Sequence, residues 1–317
     1  MSALTFSPRT GLTWTVLRLH RAALWLWVAY VALCAGVQLW LIGPGTSGLG
    51  IVGRCVAGVA NSCVAQGPTA GAYGFATLSV DVTLAAVPLA AALYTGALVL
   101  GRELERGTAQ LTWAQSVTPV RWLTAKLALP ALLLTLGTGL LVALRQAVVA
   151  RAPGLTDNQW YAAGSFDTLG SVAVALPLLG LACGALGALL HRRALPAAAT
   201  SGVLLLVLST LLGQLRPHLW STRTVTGSVE QGYRFFAGEL TGEGAITGSG
   251  ARIDDPMCVD DRGCLTEHNI TGFYREGHPP AHFWPMQLVE TGVVLALVSA
   301  LAYAAFWLLR RRVPSAR

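Results

Sequence analysis

The sequence predicts an all-α integral membrane protein of six transmembrane helices, with a large extracytoplasmic segment between the fifth and the sixth. Three observations carry that expectation. Of the 317 residues, 54% are hydrophobic and only 12% are charged, whereas a soluble domain carries about 25% charged residues. Half that level cannot solvate a surface of this size, so part of the surface must face lipid. Six apolar runs reach the ~20 residues that a spanning helix needs. The arginines and Lys126 sit in short clusters beside those runs rather than on one polar face, which is how membrane proteins place them.

The elements follow in order. Residues 1–21 are polar and mildly basic, and the apolar run after them is longer than the ~7–15 residues of a signal-peptide core. That run, 22–42, reads as a first spanning helix that also directs insertion. Further runs predict helices over 77–100, 122–144, 169–190, 195–215 and 288–309. The fourth and fifth are parted only by His191, Arg192 and Arg193, so a tight hairpin with a charged tip must join them. Pro88, Pro130, Pro177 and Pro196 fall in these runs; proline removes a backbone donor, a loss that neighbouring helices can repair in a bundle. Gly180, Gly184 and Gly187 recur at a spacing that lets helices approach closely. Bundle packing is the first reading of that stripe and a lined substrate path the second.

Basic residues orient the chain. Thirteen flank one set of helix ends (Arg9, Arg18, Arg21, Arg102, Arg106, Arg121, Lys126, Arg192, Arg193, Arg310, Arg311, Arg312 and Arg317), against three, Arg54, Arg145 and Arg151, in the opposite short loops. The positive-inside rule then places both termini in the cytoplasm and the protein in the cell (cytoplasmic) membrane. The expected plan is a cytoplasmic stretch 1–21, helices one to five over 22–215 with a cytoplasmic loop at 101–121, an acidic extracytoplasmic segment 216–285, and a sixth helix with a basic tail over 286–317. Cys34 and Cys183 fall inside apolar helices. Cys55 and Cys63 lie in the first outer loop, and Cys258 and Cys264 in the large outer segment. Local even pairs on an oxidising side suggest disulfides, 55–63 and 258–264 being the simplest pairing and a cross-loop pairing its rival.

Nothing in the sequence points to an enzyme. The apolar runs hold no paired carboxylates, and Asp81 and Glu290 fall toward outer helix ends, where an interfacial place is expected. No Gly-rich phosphate loop with its lysine occurs, so no nucleotide is expected on this chain. His278 and His282 are four apart, a spacing that suits a metal on a helix, but Pro279 and Pro280 break such a helix. Cys258 and Cys264, near His268, would not be thiolates once paired, so no metal is expected. The net charge of +7 raises nucleic acid as a partner, but basic residues in helix-end clusters do not form its continuous footprint.

The segment 101–126 is unlike an ordinary connector. Glu103 and Glu105 are flanked by Arg102 and Arg106, Gly107-Thr108 stops or turns the chain, and Leu111 and Trp113 follow. A Thr118-Pro119 break then leads to Arg121 and Lys126 at the next membrane entry. A short amphipathic helix parallel to the membrane fits this stretch, and so does a solvated loop with interfacial tryptophans. The residues Glu103, Glu105, Arg106, Gly107 and Thr108, followed by Val117-Thr118-Pro119-Val120-Arg121 and Lys126, resemble the cytoplasmic loop of permease subunits of ATP-binding-cassette (ABC) transporters of the ABC-2-type exporter class. The wording of 102–117, and of 282–290 before the last helix, resembles an actinobacterial branch of that class.

The resemblance implies a six-helix permease that moves a substrate out across the membrane. It implies a second permease copy or homologue, two separate ABC ATPase subunits that bind ATP and magnesium, and a lipid surround. The loop 101–121 would be the coupling element docking into each ATPase, through Arg102, Glu103, Glu105, Arg106, Gly107, Thr108, Pro119 and Arg121. The basic stretch 12–21 resembles an interfacial helix before the first span. The alternative reading is a membrane-embedded accessory or sensor protein whose outer segment binds a ligand.

Overall fold

The computed structural model describes residues 21–53, 63–115, 117–152, 155, 159–161, 164–258 and 261–312. The interfacial helix expected before the first span, the Cys55–Cys63 pairing and the tail beyond Arg312 lie outside the described residues. Six helices are long and apolar enough to cross a membrane: Arg21–Ile42, Ala70–Tyr94, Pro119–Arg151, Ser171–His191, Ala194–Leu215 and Phe283–Arg312. They are counted below as the first to the sixth helix.

The fourth helix is the centre of the bundle. Of its most apolar stretch 78% is buried, against 17% for the first, third and sixth helices. Its small residues make this possible. A Cβ on Gly180 would stand 2.1 Å from the Pro88 carbonyl oxygen of the second helix, and one on Gly187 would stand 2.3 Å from Ser201 Oγ of the fifth. The glycine stripe therefore packs helices. The fourth–fifth connection is the tight hairpin expected: Arg192 adopts a left-handed conformation (φ 55°) as C-cap, and its N–H donates to the Ala188 carbonyl at 2.9 Å.

The second, third and sixth helices run past the apolar stretches expected for them, the sixth covering Phe283–Arg312. The second starts at Ala70 because Tyr73 and Thr77 are buried, and the Thr77 hydroxyl donates to the Tyr73 carbonyl at 2.9 Å. The third continues to Arg151. Arg145 is therefore not a loop residue, as its place in the basic count assumed. It lies inside the third helix at 0% exposure, with its Nε and Nη2 each 2.9 Å from a carboxylate oxygen of Asp81. A guanidinium can be buried there because a bidentate carboxylate meets its fork.

The expectation of an all-α chain is corrected in the segment after the fifth helix. Strands β3 (Arg223–Ser228), β4 (Glu239–Thr247), β5 (Arg252–Ile253) and β6 (Ile270–His278) form an antiparallel sheet in the order β3-β6-β4-β5. A two-stranded hairpin, β1 (Gly50–Gly53) with β2 (Cys63–Gln66), precedes the second helix. The reason is local: Thr, Val, Ile, Phe and Tyr fit a pleated surface, and glycines at crossing points admit close backbones. A Cβ on Gly277 would stand 2.0 Å from the Glu239 carbonyl oxygen. Beside β6, Asp261 caps the short helix Arg262–Glu267 by accepting from Gly263 N at 2.8 Å. Cys258 and Cys264 are joined by a disulfide, with Cα atoms 5.5 Å apart. Cys34 and Cys183 are free and buried. Burial, and a hydrogen bond donated to Asp255, raise the Tyr233 phenol above its usual pKa.

Candidate functional site

The loop between the second and third helices is built in four steps. The second helix first widens into a π-helical turn, Thr95–Gly101. Glycine is required at its end, since a Cβ on Gly101 would stand 2.2 Å from the Gly96 carbonyl oxygen and 3.0 Å from Ala194 Cα. One α-turn, Arg102–Glu105, follows. Gly107 then reverses the chain at φ 73°, a left-handed conformation that glycine adopts without strain. The short helix Thr108–Ala114 comes last, before Thr118 caps the third helix by accepting from Arg121 N at 3.3 Å, with Pro119 in the first turn.

The short helix has two faces. Ala109 is fully buried and Trp113 stands edge-on to the buried Trp122, ring centres 5.5 Å apart. Both belong to an apolar cluster that includes Val99 of the π turn, Leu123 of the third helix, Leu189 of the fourth, Ala197 of the fifth and Leu309 of the sixth. The opposite face carries Gln110 and Leu111, the latter 65% exposed.

The two carboxylates bond inside the chain. Glu103 Oε1 lies 2.5 Å from Lys126 Nζ of the third helix. Glu105 Oε2 accepts from the backbone N–H of Ala194 at 3.0 Å, where it caps the fifth helix. At a helix N-terminus a carboxylate meets orphan donors and the positive end of the dipole. Arg102, Arg106 and Thr108 are exposed, and the Thr108 hydroxyl donates to the Glu103 carbonyl at 3.3 Å. Pro119 is half-buried and Arg121 exposed. At the same end of the bundle, Arg312 Nη1 donates to the Leu189 carbonyl at 2.5 Å, so the basic turn 192–193 and the end of the sixth helix share this end with the loop.

The opposite end holds a charged junction that was not read from the sequence. Glu290, expected at an interface, is 1% exposed; its oxygens accept from Arg216 Nε and Nη2 at 2.9 Å each. Arg216 also bonds Asp167 and stands over the Phe166 ring, 4.1 Å from its centre. Asp81, also expected at an interface, is drawn into the Arg145 pair. The usable signal was one acid inside an apolar run and one base, Arg145 or Arg216, immediately after the end of another, since an ionisable group at membrane depth needs a partner. Next to this junction, His278 Nδ1 and His282 Nδ1 are 3.2 Å apart, and His278 Nε2 is 3.0 Å from the Pro217 carbonyl oxygen. The 3-10 turn Pro280–His282 brings the two rings together. Cys258, Cys264 and His268 cluster as well, but the disulfide takes both thiols.

Comparison with known proteins adds one match. The family model described as ABC-2 membrane transporter related matches residues 22–216, which take in the first five helices and the whole loop. No curated protein and no solved structure matches the chain. The match spans more than half of the 317 residues, and this multi-pass membrane protein belongs to the ABC-2 membrane transporter related family.

Proposed function

We propose that this chain is the membrane-spanning permease subunit of an ABC exporter, in which separate ATPase subunits hydrolyse ATP and drive the bundle through the loop 101–121. The family supports the permease reading. The observation that carries the coupling role is the way the loop is fastened: Glu103 to the third helix, Glu105 to the fifth, and Ala109 and Trp113 into a cluster shared with the fourth and sixth. A push on the exposed face at Arg102, Arg106 and Leu111 would reach every one of those helices, because close-packed interiors transmit displacement. ATP and magnesium would sit on two ATPase copies, and a second permease copy or homologue would complete the assembly. The shared end of the loop, the 192–193 turn and Arg312 gathers the basic clusters, which supports a cytoplasmic loop and cytoplasmic termini in the cell membrane. The sheet over 223–278 would then lie outside.

The test is purification of the tagged full chain from its own membrane in mild detergent, with mass spectrometry of what comes with it. An ABC ATPase near equimolar ratio is expected. Purification free of any ATPase, under conditions that keep other membrane complexes whole, would overturn the reading.

A further inference from the structure

Two histidine rings meet where the sheet joins the bundle. His278 closes β6, and His282 ends the 3-10 turn that leads into the sixth helix. Pro279 and Pro280 forbid the helix that would suit their spacing, but the turn they build brings both rings to one spot. His278 Nδ1 and His282 Nδ1 stand 3.2 Å apart. The tautomer of His278 is fixed. Its Nε2 lies 3.0 Å from the Pro217 carbonyl oxygen; a carbonyl only accepts, so Nε2 carries the proton and Nδ1 keeps its lone pair. Metal-binding histidines are oriented in this way, a backbone carbonyl holding the other ring nitrogen. His278 is also 0% exposed, so its ring is held between β6 and the end of the fifth helix. The distance selects the geometry. Two nitrogens on a tetrahedral zinc, each bonded at ~2.0–2.1 Å, stand about 3.3 Å apart. Neighbouring ligands in a square-planar Cu(II) or Ni(II) site, at the same bond length, stand about 2.9 Å apart.

We propose that His278 and His282 together bind a zinc ion through their Nδ1 atoms. Imidazole suits zinc, whereas magnesium and calcium prefer oxygen. Among the described residues no third His, Cys, Asp or Glu ligand atom stands within 4.8 Å of both ring nitrogens, so water takes the remaining positions. The surroundings tolerate a cation. Arg216 is outnumbered by its two carboxylates, Asp167 and Glu290. Arg223, whose charge reaches His282, is exposed, where solvent and salt screen it. Glu239 is the strand partner of His278, so its side chain leaves the same face of the sheet. It is half-buried and makes no hydrogen bond or ion pair among the described residues, and it sets a negative charge against Arg223. The ion would tie the end of β6 to the start of the sixth helix, while Pro217 ties the same ring to the end of the fifth. A proton on His282 Nδ1 could fill the gap as a hydrogen bond instead, and the experiment separates the two.

The full chain, carrying a tag free of histidine, is purified in detergent, stripped with a chelator and titrated with zinc chloride at neutral pH by calorimetry. About one ion per chain is expected, with X-ray absorption showing nitrogen ligands at ~2.0 Å. The thermal midpoint should rise with zinc, because a ligand of the folded state stabilises it. His282 is half-buried and His278 fully buried, so the variants are made at 282. His282→Ala, and separately His282→Asn, which keeps a polar group on the turn, should weaken binding more than about tenfold, since losing even a supporting partner costs that much. Both should lose the zinc-dependent rise while keeping monodisperse elution. His268→Ala, beside the Cys258–Cys264 bridge, should bind as the parent does, and excess magnesium should not compete. A parent that binds zinc no better than the 282 variants would mean that the rings share only a proton, and would overturn the proposal. Loss of binding in His268→Ala, or a shell of oxygen ligands alone, would overturn it as well. The readout uses this chain alone, so its failure leaves the permease reading untouched.

Discussion

Lys126 Nζ lies 2.5 Å from Glu103 Oε1, and the two side chains are only 5% and 18% exposed. This pair joins the first turn of the loop to the third helix. Removing one partner of a buried pair leaves a charge without compensation and costs about 3–5 kcal/mol. Glu103→Lys should therefore lower the thermal midpoint of the purified protein clearly, and the exchanged pair Glu103→Lys with Lys126→Glu should recover more than half of the loss. Simple additivity of the two single effects would mean that the contact contributes nothing.

Asp81 and Arg145 make the corresponding test inside the bundle. Asp81→Asn keeps the size of the side chain and removes the charge that lets Arg145 stay at 0% exposure. A loss of about 3–5 kcal/mol is expected, read as a lower midpoint and a lower yield of folded protein. Replacing both residues with leucine and methionine should be much milder, since an apolar pair needs no partner.

The disulfide between Cys258 and Cys264 closes a short loop beside β6. Chain entropy for a loop of this size gives about 2 kcal/mol, so the double alanine variant should loosen the sheet segment and speed its proteolysis while the helices stay intact. Peptide mapping without reductant should show this pair oxidised, with Cys34 and Cys183 as thiols. A free thiol at either 258 or 264 would contradict the bridge.

Topology is tested with a membrane-impermeant maleimide in intact cells carrying one added cysteine. Glu230→Cys, in the exposed approach to β4, should react. Ser315→Cys, beyond the sixth helix, should react only after the cells are opened. Labelling at 315 in sealed cells would reverse the orientation drawn from the basic clusters.

Much of the fold was legible because lipid imposes a strong requirement: a spanning helix must be apolar for ~20 residues, and the six runs stand out for that reason. Helix ends were less legible. The second helix begins at Ala70, and the burial of Tyr73 in its first turn depends on neighbours that no local pattern reveals. Arg145 was placed in a loop because its partner, Asp81, stands 64 residues away, and only the register of the packed helices brings the two together. The sheet was missed because its strands are broken by glycines and charged residues, as in Glu239–Thr247 and Ile270–His278, a weak pattern beside six long apolar runs. In the loop, the turn chemistry of Gly107-Thr108 and Thr118-Pro119 could be read residue by residue. The destinations of Glu103 and Glu105 could not, since one partner is a lysine in the next helix and the other a backbone N–H of the fifth.

Leu111 gives the most direct test of the central claim. It is apolar, 65% exposed, and carried by a short helix whose other face is anchored by Ala109. A photoreactive amino acid placed at 111 in cells, followed by ultraviolet light and mass spectrometry, should yield a crosslink to the nucleotide-binding subunit of an ABC ATPase. Arg102→Glu with Arg106→Glu should abolish that crosslink without lowering the thermal midpoint. A residue at 111 that crosslinks only to lipid or to this chain itself, in membranes where the ATPase is present, would contradict the account.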